Sequence, residues 1–173
     1  MKKLLLSLFV CLTFLCMKCE EETPKEPIDL LPPPTQTGEN TFGCLVDGEP
    51  FTPDGRPLSF TTEYSYYQGE HYLRISGDRR YEDGLLSIGI GTEGLAINEG
   101  ETYELLEREQ GNAYGSRYKS SNFTYTSSES TGKLIITKLD TEEHIMSGTF
   151  FFDIKSVEGK TYKVREGRFD IKY

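Results

Sequence analysis

Ile145-Met146-Ser147-Gly148-Thr149-Phe150-Phe151-Phe152-Asp153-Ile154 is the run whose reading decides the fold. Its even positions, Met146, Gly148, Phe150, Phe152 and Ile154, form one face. The odd positions carry Ser147, Thr149 and Asp153, with Phe151 out of pattern. Successive side chains of an extended chain point to opposite sides, so this period of two predicts a strand with one buried face. Downstream, Glu158-Gly159-Lys160 turns the chain into Tyr162 to Arg165. Gly167 then breaks or bulges that run before Phe169, Ile171 and Tyr173.

Working back toward the N-terminus, the same punctuation recurs. Glu142-Glu143-His144 reads as a turn, and Leu134 to Thr137 is a strand entered through the turn residues Thr131-Gly132-Lys133. Asn122 to Thr126, Thr102 to Leu106, Leu85 to Gly91 and Tyr72 to Ser76 are short apolar or alternating runs. Leu58 to Tyr67 alternates polar and aromatic residues after the turn Asp54-Gly55-Arg56-Pro57. Phe42 to Asp47 turns at Asp47-Gly48 into Glu49 to Pro53 as a hairpin. Beyond Gly38 no stretch carries a helical stripe. The best candidate, Glu101 to Gln110, is bracketed by Gly100 and Gly111. About nine or ten strands at short spacing predict an all-β, antiparallel sandwich or barrel, and strand number alone leaves the two open.

Ahead of this domain stands a different kind of sequence. Lys2 and Lys3 precede an apolar run from Leu4 to Met17, which ends at Lys18-Cys19 and three glutamates, Glu20 to Glu22. At ~1.5 Å per residue the run spans roughly 21 Å, short of the ~30 Å hydrocarbon core. A basic start, a short apolar run and an abrupt end at cysteine predict a lipoprotein signal peptide over residues 1–18. Cys19 is the expected acylation site because polarity changes there most sharply. Cys16 is the alternative, and Cys11 leaves the apolar region too short.

Residues 19–40 then read as an acidic, proline-rich tether, with Pro24, Pro27 and Pro32-Pro33-Pro34 favouring extended backbone. Leu30 and Leu31 are the exception and are expected to pack back on the β domain, which occupies residues 41–173.

Charge narrows the partners. Residues 1–18 contain three lysines and no acid, so their removal moves the net charge from −9 to −12. Such a chain is not a nucleic-acid binder, since phosphates demand clustered Lys and Arg. Nor can it adhere to anionic lipid by charge, so acyl chains on the cysteine must supply the anchor. With Cys11 and Cys16 in the signal and Cys19 acylated, Cys44 is left alone. No intrachain disulfide is expected, and Cys44 reads as a small buried hydrophobe in a strand.

Residues with chemical potential are few. His71 and His144 are far apart in sequence and lack the converging ligands of a zinc site, so no metal and no cofactor are expected. Gly89-Ile90-Gly91-Thr92-Glu93-Gly94 matches a dinucleotide fingerprint by letter, yet no helix follows it, and it reads as a strand end and turn. Any of the 28 acids could pair to hydrolyse a glycosidic bond, so the pattern selects none. Tyrosine is the feature with a binding flavour. Tyr64, Tyr66 and Tyr67 cluster beside Gly69, and Tyr114 and Tyr118 lie in a Gly/Ser-rich segment. Their flat faces and hydroxyls suit sugar stacking or a protein interface, although tyrosine also simply fills strands.

Leu31-Pro32-Pro33-Pro34-Thr35-Gln36-Thr37-Gly38, followed by Asn40-Thr41-Phe42-Gly43-Cys44-Leu45-Val46-Asp47-Gly48, resembles the start of small Bacteroidota lipoproteins classed as domains of unknown function. Ser147 to Phe152 and Gly167-Arg168-Phe169-Asp170-Ile171-Lys172-Tyr173 are similar to their C-terminal strands. A cysteine followed at once by acids also resembles the surface-export signal of such lipoproteins. The resemblance implies a lipid-anchored, mostly β protein of the outer membrane, on the cell surface or the periplasmic face, and brings no catalytic residues. The expectation is a non-enzymatic module binding a glycan or protein partner. The alternatives are a structural or accessory subunit of an outer-membrane assembly, and last a hydrolase with a dispersed acidic site.

Overall fold

The computed structural model describes residues 25–130 and 132–173. The expected signal peptide, Cys11, Cys16, Cys19, Glu20 to Glu22, Pro24 and Thr131 lie outside the described residues. Eleven strands follow one 3-10 turn at Pro27–Leu30: β1 (Thr41–Val46), β2 (Glu49–Phe51), β3 (Phe60–Tyr67), β4 (Glu70–Tyr81), β5 (Gly84–Thr92) and β6 (Thr102–Glu104). After them come β7 (Ala113–Lys119), β8 (Asn122–Tyr125), β9 (Gly132–Asp140), β10 (Ile145–Lys155) and β11 (Thr161–Lys172). They form two antiparallel sheets, in the orders β2-β1-β11-β10-β9-β6 and β3-β4-β5-β7-β8. The sheets pack face to face and neither closes, so the architecture is a β-sandwich and not a barrel.

The opening run behaves as its periodicity requires. Met146, Phe150, Phe152 and Ile154 point into the core from β10, in the middle of the larger sheet. From the facing sheet Leu73, Ile75, Ile88 and Ile90 close on them. Phe150 stacks on Phe42 with ring centres 5.4 Å apart and on Phe152 at 6.1 Å. Phe151 faces outward, where the Arg165 guanidinium lies over its ring. Cys44 is fully buried beside Phe42 and Phe51, and burial pushes its thiol well above the usual cysteine range. A thiol held protonated is a packing group, not a nucleophile.

Of the two outcomes open at Gly167, a break or a bulge, the structure shows the bulge, and one departure from the sequence reading is informative. The run from Tyr162 and the segment after Gly167 are one strand, β11, bent by that bulge. Phe150 faces Gly167 while Phe152 faces Val164, and Glu166 takes a positive φ of 53°. β7 was not anticipated at all, because Gly115 and Ser116 depress its β propensity. A glycine is required there. A Cβ at Gly115 would lie 2.8 Å from the ring of Phe152, which crosses from the opposite sheet.

The segment before β1 packs on the sandwich. Leu31 is buried, whereas Leu30 is exposed. Asp170 of β11 then accepts hydrogen bonds from Thr35, Thr37, Gly38 and Glu39.

Candidate functional site

Strand alternation that sends Leu73, Ile75, Ile88 and Ile90 inward must send their neighbours to the outer face of the smaller sheet. Cross-strand register aligns these neighbours in rows. Thr61, Ser76, Gly89, Ser116 and Tyr125 form one row across β3, β4, β5, β7 and β8. Asp78, Ser87, Tyr118 and Phe123 form the row on one side of it. Glu63, Arg74, Gly91 and Tyr114 form the row on the other. The centre of the face is therefore paved with serine and glycine, and its β7–β8 margin is aromatic.

Size differences between columns make a cleft. Two adjoining hollows of about 310 Å³ each share Arg74, Arg108 and Tyr114 in their linings. On the aromatic side Tyr118 and Phe123 lie 4.7 Å apart by ring centres, and Phe123 and Tyr125 are near-parallel at 6.3 Å. Tyr114 meets Tyr125 edge to face at 5.7 Å. Arg108, from the loop before β7, caps this stack. Its guanidinium lies 5.4 Å from both the Tyr114 and Tyr125 ring centres, and it binds the Glu93 carboxylate and the Tyr125 hydroxyl. Gly91 is required here too, since a Cβ would sit 2.5 Å from the Tyr114 hydroxyl oxygen. Burial raises the Tyr114 pKa, so its phenol stays neutral and able to donate.

Two groups in the cleft have no obvious structural employment. Phe123 keeps 56% of its surface exposed although it is a large apolar side chain. Arg74 is exposed between the two hollows and, among the described residues, makes no hydrogen bond or ion pair within its reach. Its cross-strand neighbour Glu63 instead accepts from the Ser65 hydroxyl.

Of the tyrosines singled out from sequence, Tyr67, Tyr114 and Tyr118 line this cleft, while Tyr64 and Tyr66 turn to the other face. There Tyr64 stacks on His71 at 5.3 Å and meets Tyr173 at 5.4 Å, and Tyr173 meets His144 at 5.6 Å. The two histidines thus belong to one aromatic chain, with Tyr66 beyond His71 at 4.8 Å, a proximity sequence could not reveal. No group of three or more metal-binding side chains occurs among the described residues. Gly89 to Thr92 completes β5 and Gly94 turns, as expected. Phe123, Tyr125, Arg74 and Arg108 were missed. The alternation of Asn122 to Thr126 was visible, but without β7 there was nothing to set it beside.

A family model described as Domain of unknown function (DUF6252) matches residues 59–170, more than half of the chain, and the chain belongs to that family. No curated protein and no solved structure matches it.

Proposed function

We propose that this member of the DUF6252 family is a lipid-anchored envelope protein whose outer-sheet cleft binds a glycan chain without chemically altering it. The observation that carries the reading is the wall of Tyr118, Phe123 and Tyr125 beside a floor of Ser76, Ser87, Gly89 and Ser116. A pyranose ring has an apolar face of C–H groups and a rim of hydroxyls. Flat aromatic rings accept the first, and serine hydroxyls, the Tyr114 phenol and the uncommitted Arg74 guanidinium hydrogen-bond the second. The floor is small enough to admit a ring and polar enough to compensate its desolvation.

Titration of the full chain against an oligosaccharide panel tests this. Phe123→Ala should weaken binding about ten- to hundredfold, the loss of roughly 1.5–3 kcal/mol of apolar burial. Its exposure predicts unchanged thermal stability. A panel without a binder, or undiminished affinity in the variant, would overturn the glycan reading.

The anchor belongs to the same proposal. Acylation of Cys19 would place the domain on the outer membrane, at the cell surface or the periplasmic face. Because the Pro27–Leu30 turn lies against β2 and Leu31 is buried, the free tether would run only from residue 19 to residue 26, at most roughly 25 Å if extended. Intact mass of the membrane-extracted protein should show a chain beginning at Cys19 and carrying acyl groups. A chain beginning at Cys16, or one with no lipid, would refute that assignment.

The accessory-subunit reading has one observation in its favour. β3 is an eight-residue edge strand ending in exposed Tyr66 and Tyr67, and an open edge can accept a strand from another chain. A glycan-blind protein that co-purifies with an outer-membrane partner would favour it.

A further inference from the structure

A second pocket, sharing no lining residue with the cleft, opens on the other side of β7–β8. It has a volume of about 470 Å³ and lies between the inward side of β7–β8 and the turn joining β10 to β11. Arg117 points into it from β7. Only 8% of this residue is exposed, and its Nε has no hydrogen-bond partner. Across the pocket the hydroxyl of Ser156, 6% exposed, lies beside the Glu158 carboxylate. Two cations converge on one ring, with the Arg117 guanidinium 3.9 Å and the Lys160 ammonium 4.2 Å from the centre of Tyr162.

This arrangement is costly as it stands. A buried guanidinium ordinarily pairs with a carboxylate, and an unmet buried donor costs roughly 1–3 kcal/mol. The Tyr162 ring offsets part of the charge penalty but accepts no hydrogen bond in the ring plane of the guanidinium. The acids at the pocket do not resolve it. Asp83 is engaged by Lys119 at 2.6 Å. Glu158, in the pocket wall, faces the Ser156 hydroxyl and feels the Arg117 charge, and both hold its carboxyl below the usual range, but it leaves the Arg117 Nε without a partner. Lys160 reaches Asp47 at 3.4 Å, an exposed contact it can exchange. In a chain rich in acid, a pocket edged by three cations, one of them buried with an unmet donor, is shaped for a negative group.

We propose that this pocket binds a tetrahedral oxyanion, a sulfate or phosphate group, held by the Arg117 guanidinium, the Ser156 hydroxyl and the Lys160 ammonium. Guanidinium and ammonium groups bind such oxyanions through charge-assisted hydrogen bonds, and the hydroxyl supplies a neutral donor. The volume exceeds that of a lone anion, so the pocket has room for the free ion or for one carried on a larger molecule such as a sugar ester.

The test is equilibrium titration of the full chain, in a neutral non-sugar detergent, with sodium sulfate, sodium phosphate and galactose 6-sulfate against sodium chloride at matched ionic strength. Sulfate and phosphate are expected to bind saturably and chloride is not. Arg117→Met, which keeps the bulk over Tyr162, should lose at least tenfold in affinity. Lys160→Gln is fully solvent-tolerant and should lose several-fold, which keeps the test valid should the arginine variant not fold. Glu158→Gln removes a competing charge and should tighten binding several-fold, a gain that a purely structural arginine would not produce. Tighter binding of galactose 6-sulfate than of free sulfate assigns the oxyanion to a sugar ester, and equal binding assigns it to the free ion; both support the site. Binding indistinguishable from chloride, or sulfate affinity unchanged in both Arg117→Met and Lys160→Gln, would overturn it. Phe123→Ala leaves this pocket intact, so failure of the cleft and failure of this site are separable.

Discussion

Asp170→Asn is expected to destabilise the chain by about 2–4 kcal/mol at pH 7, because hydrogen bonds to a charged acceptor are weakened and buried donors are left unmet. Only 1% of Asp170 is exposed, and its carboxylate accepts five hydrogen bonds. The Ser147 hydroxyl and the Gly38 N–H both donate to Oδ1 at 2.8 Å. The Thr35 hydroxyl at 2.7 Å and the N–H groups of Thr37 and Glu39, at 3.0 and 3.1 Å, donate to Oδ2. An asparagine fills the same space but turns one acceptor into a donor facing donors.

The same carboxylate makes stability depend on acid. Burial alone would raise its pKa, yet the hydrogen bonds from Thr35, Glu39, Ser147 and Gly38 outweigh it and bring the value down to about 2. An unfolded aspartate titrates near ~3.9, so the folded state binds its proton later than the unfolded one. The contribution is fully present above the unfolded value and is lost as pH falls through the folded one, between about pH 5 and pH 1. It amounts to about 2–3 kcal/mol. Urea unfolding from pH 2 to 7 should show the wild-type midpoint falling below pH 5 more steeply than that of Asp170→Asn. Equal midpoints at pH 7, or identical acid slopes, would contradict this account. Loss of the contacts should also free residues 35–39, which is readable as new amide exchange there.

Phe152→Ala is expected to cost about 3–5 kcal/mol, because a fully buried ring leaves a cavity that a β-sandwich cannot collapse around. Gly115→Ala should cost about 1–3 kcal/mol by overpacking, since the new methyl would meet the ring of Phe152 at 2.8–2.9 Å. The two changes relieve one another. With the ring gone, the methyl at position 115 occupies part of the vacated space, so the double variant should be at least about 1 kcal/mol more stable than the sum of the singles. Chemical denaturation of the four proteins measures that coupling. Additivity within about 0.3–0.5 kcal/mol would mean that Phe152 does not seat on Gly115.

These two predictions mark the boundary between what was readable in the chain and what was not. The class of fold was legible because burial imposes a period of two on a strand. Ile145 to Ile154 carries that period almost intact, and turn residues separate it from its neighbours. A buried Cys44 and the bend at Gly167 followed from the same local rules. β7 escaped them because a residue required by a partner far away in sequence overrode local propensity. Gly115 reads as a break in a strand until Phe152 is seen crossing above it.

The cleft followed β7 out of view. Tyr114 and Tyr118 were visible as tyrosines in a loose segment, but the wall they make with Phe123 and Tyr125 depends on antiparallel register between β7 and β8. Choosing a sandwich over a barrel needed the two sheet orders, since edge strands and closure are properties of pairing and not of composition. The pocket at Arg117 lay deeper still, because an arginine in a polar run carries no sign that its guanidinium will be buried unpaired. By itself, then, the sequence determined that the chain is extended, antiparallel and held by a packed apolar core. Which strands pair and which polar side chains are brought together were decided only by the tertiary structure, because both depend on contacts between residues remote along the chain.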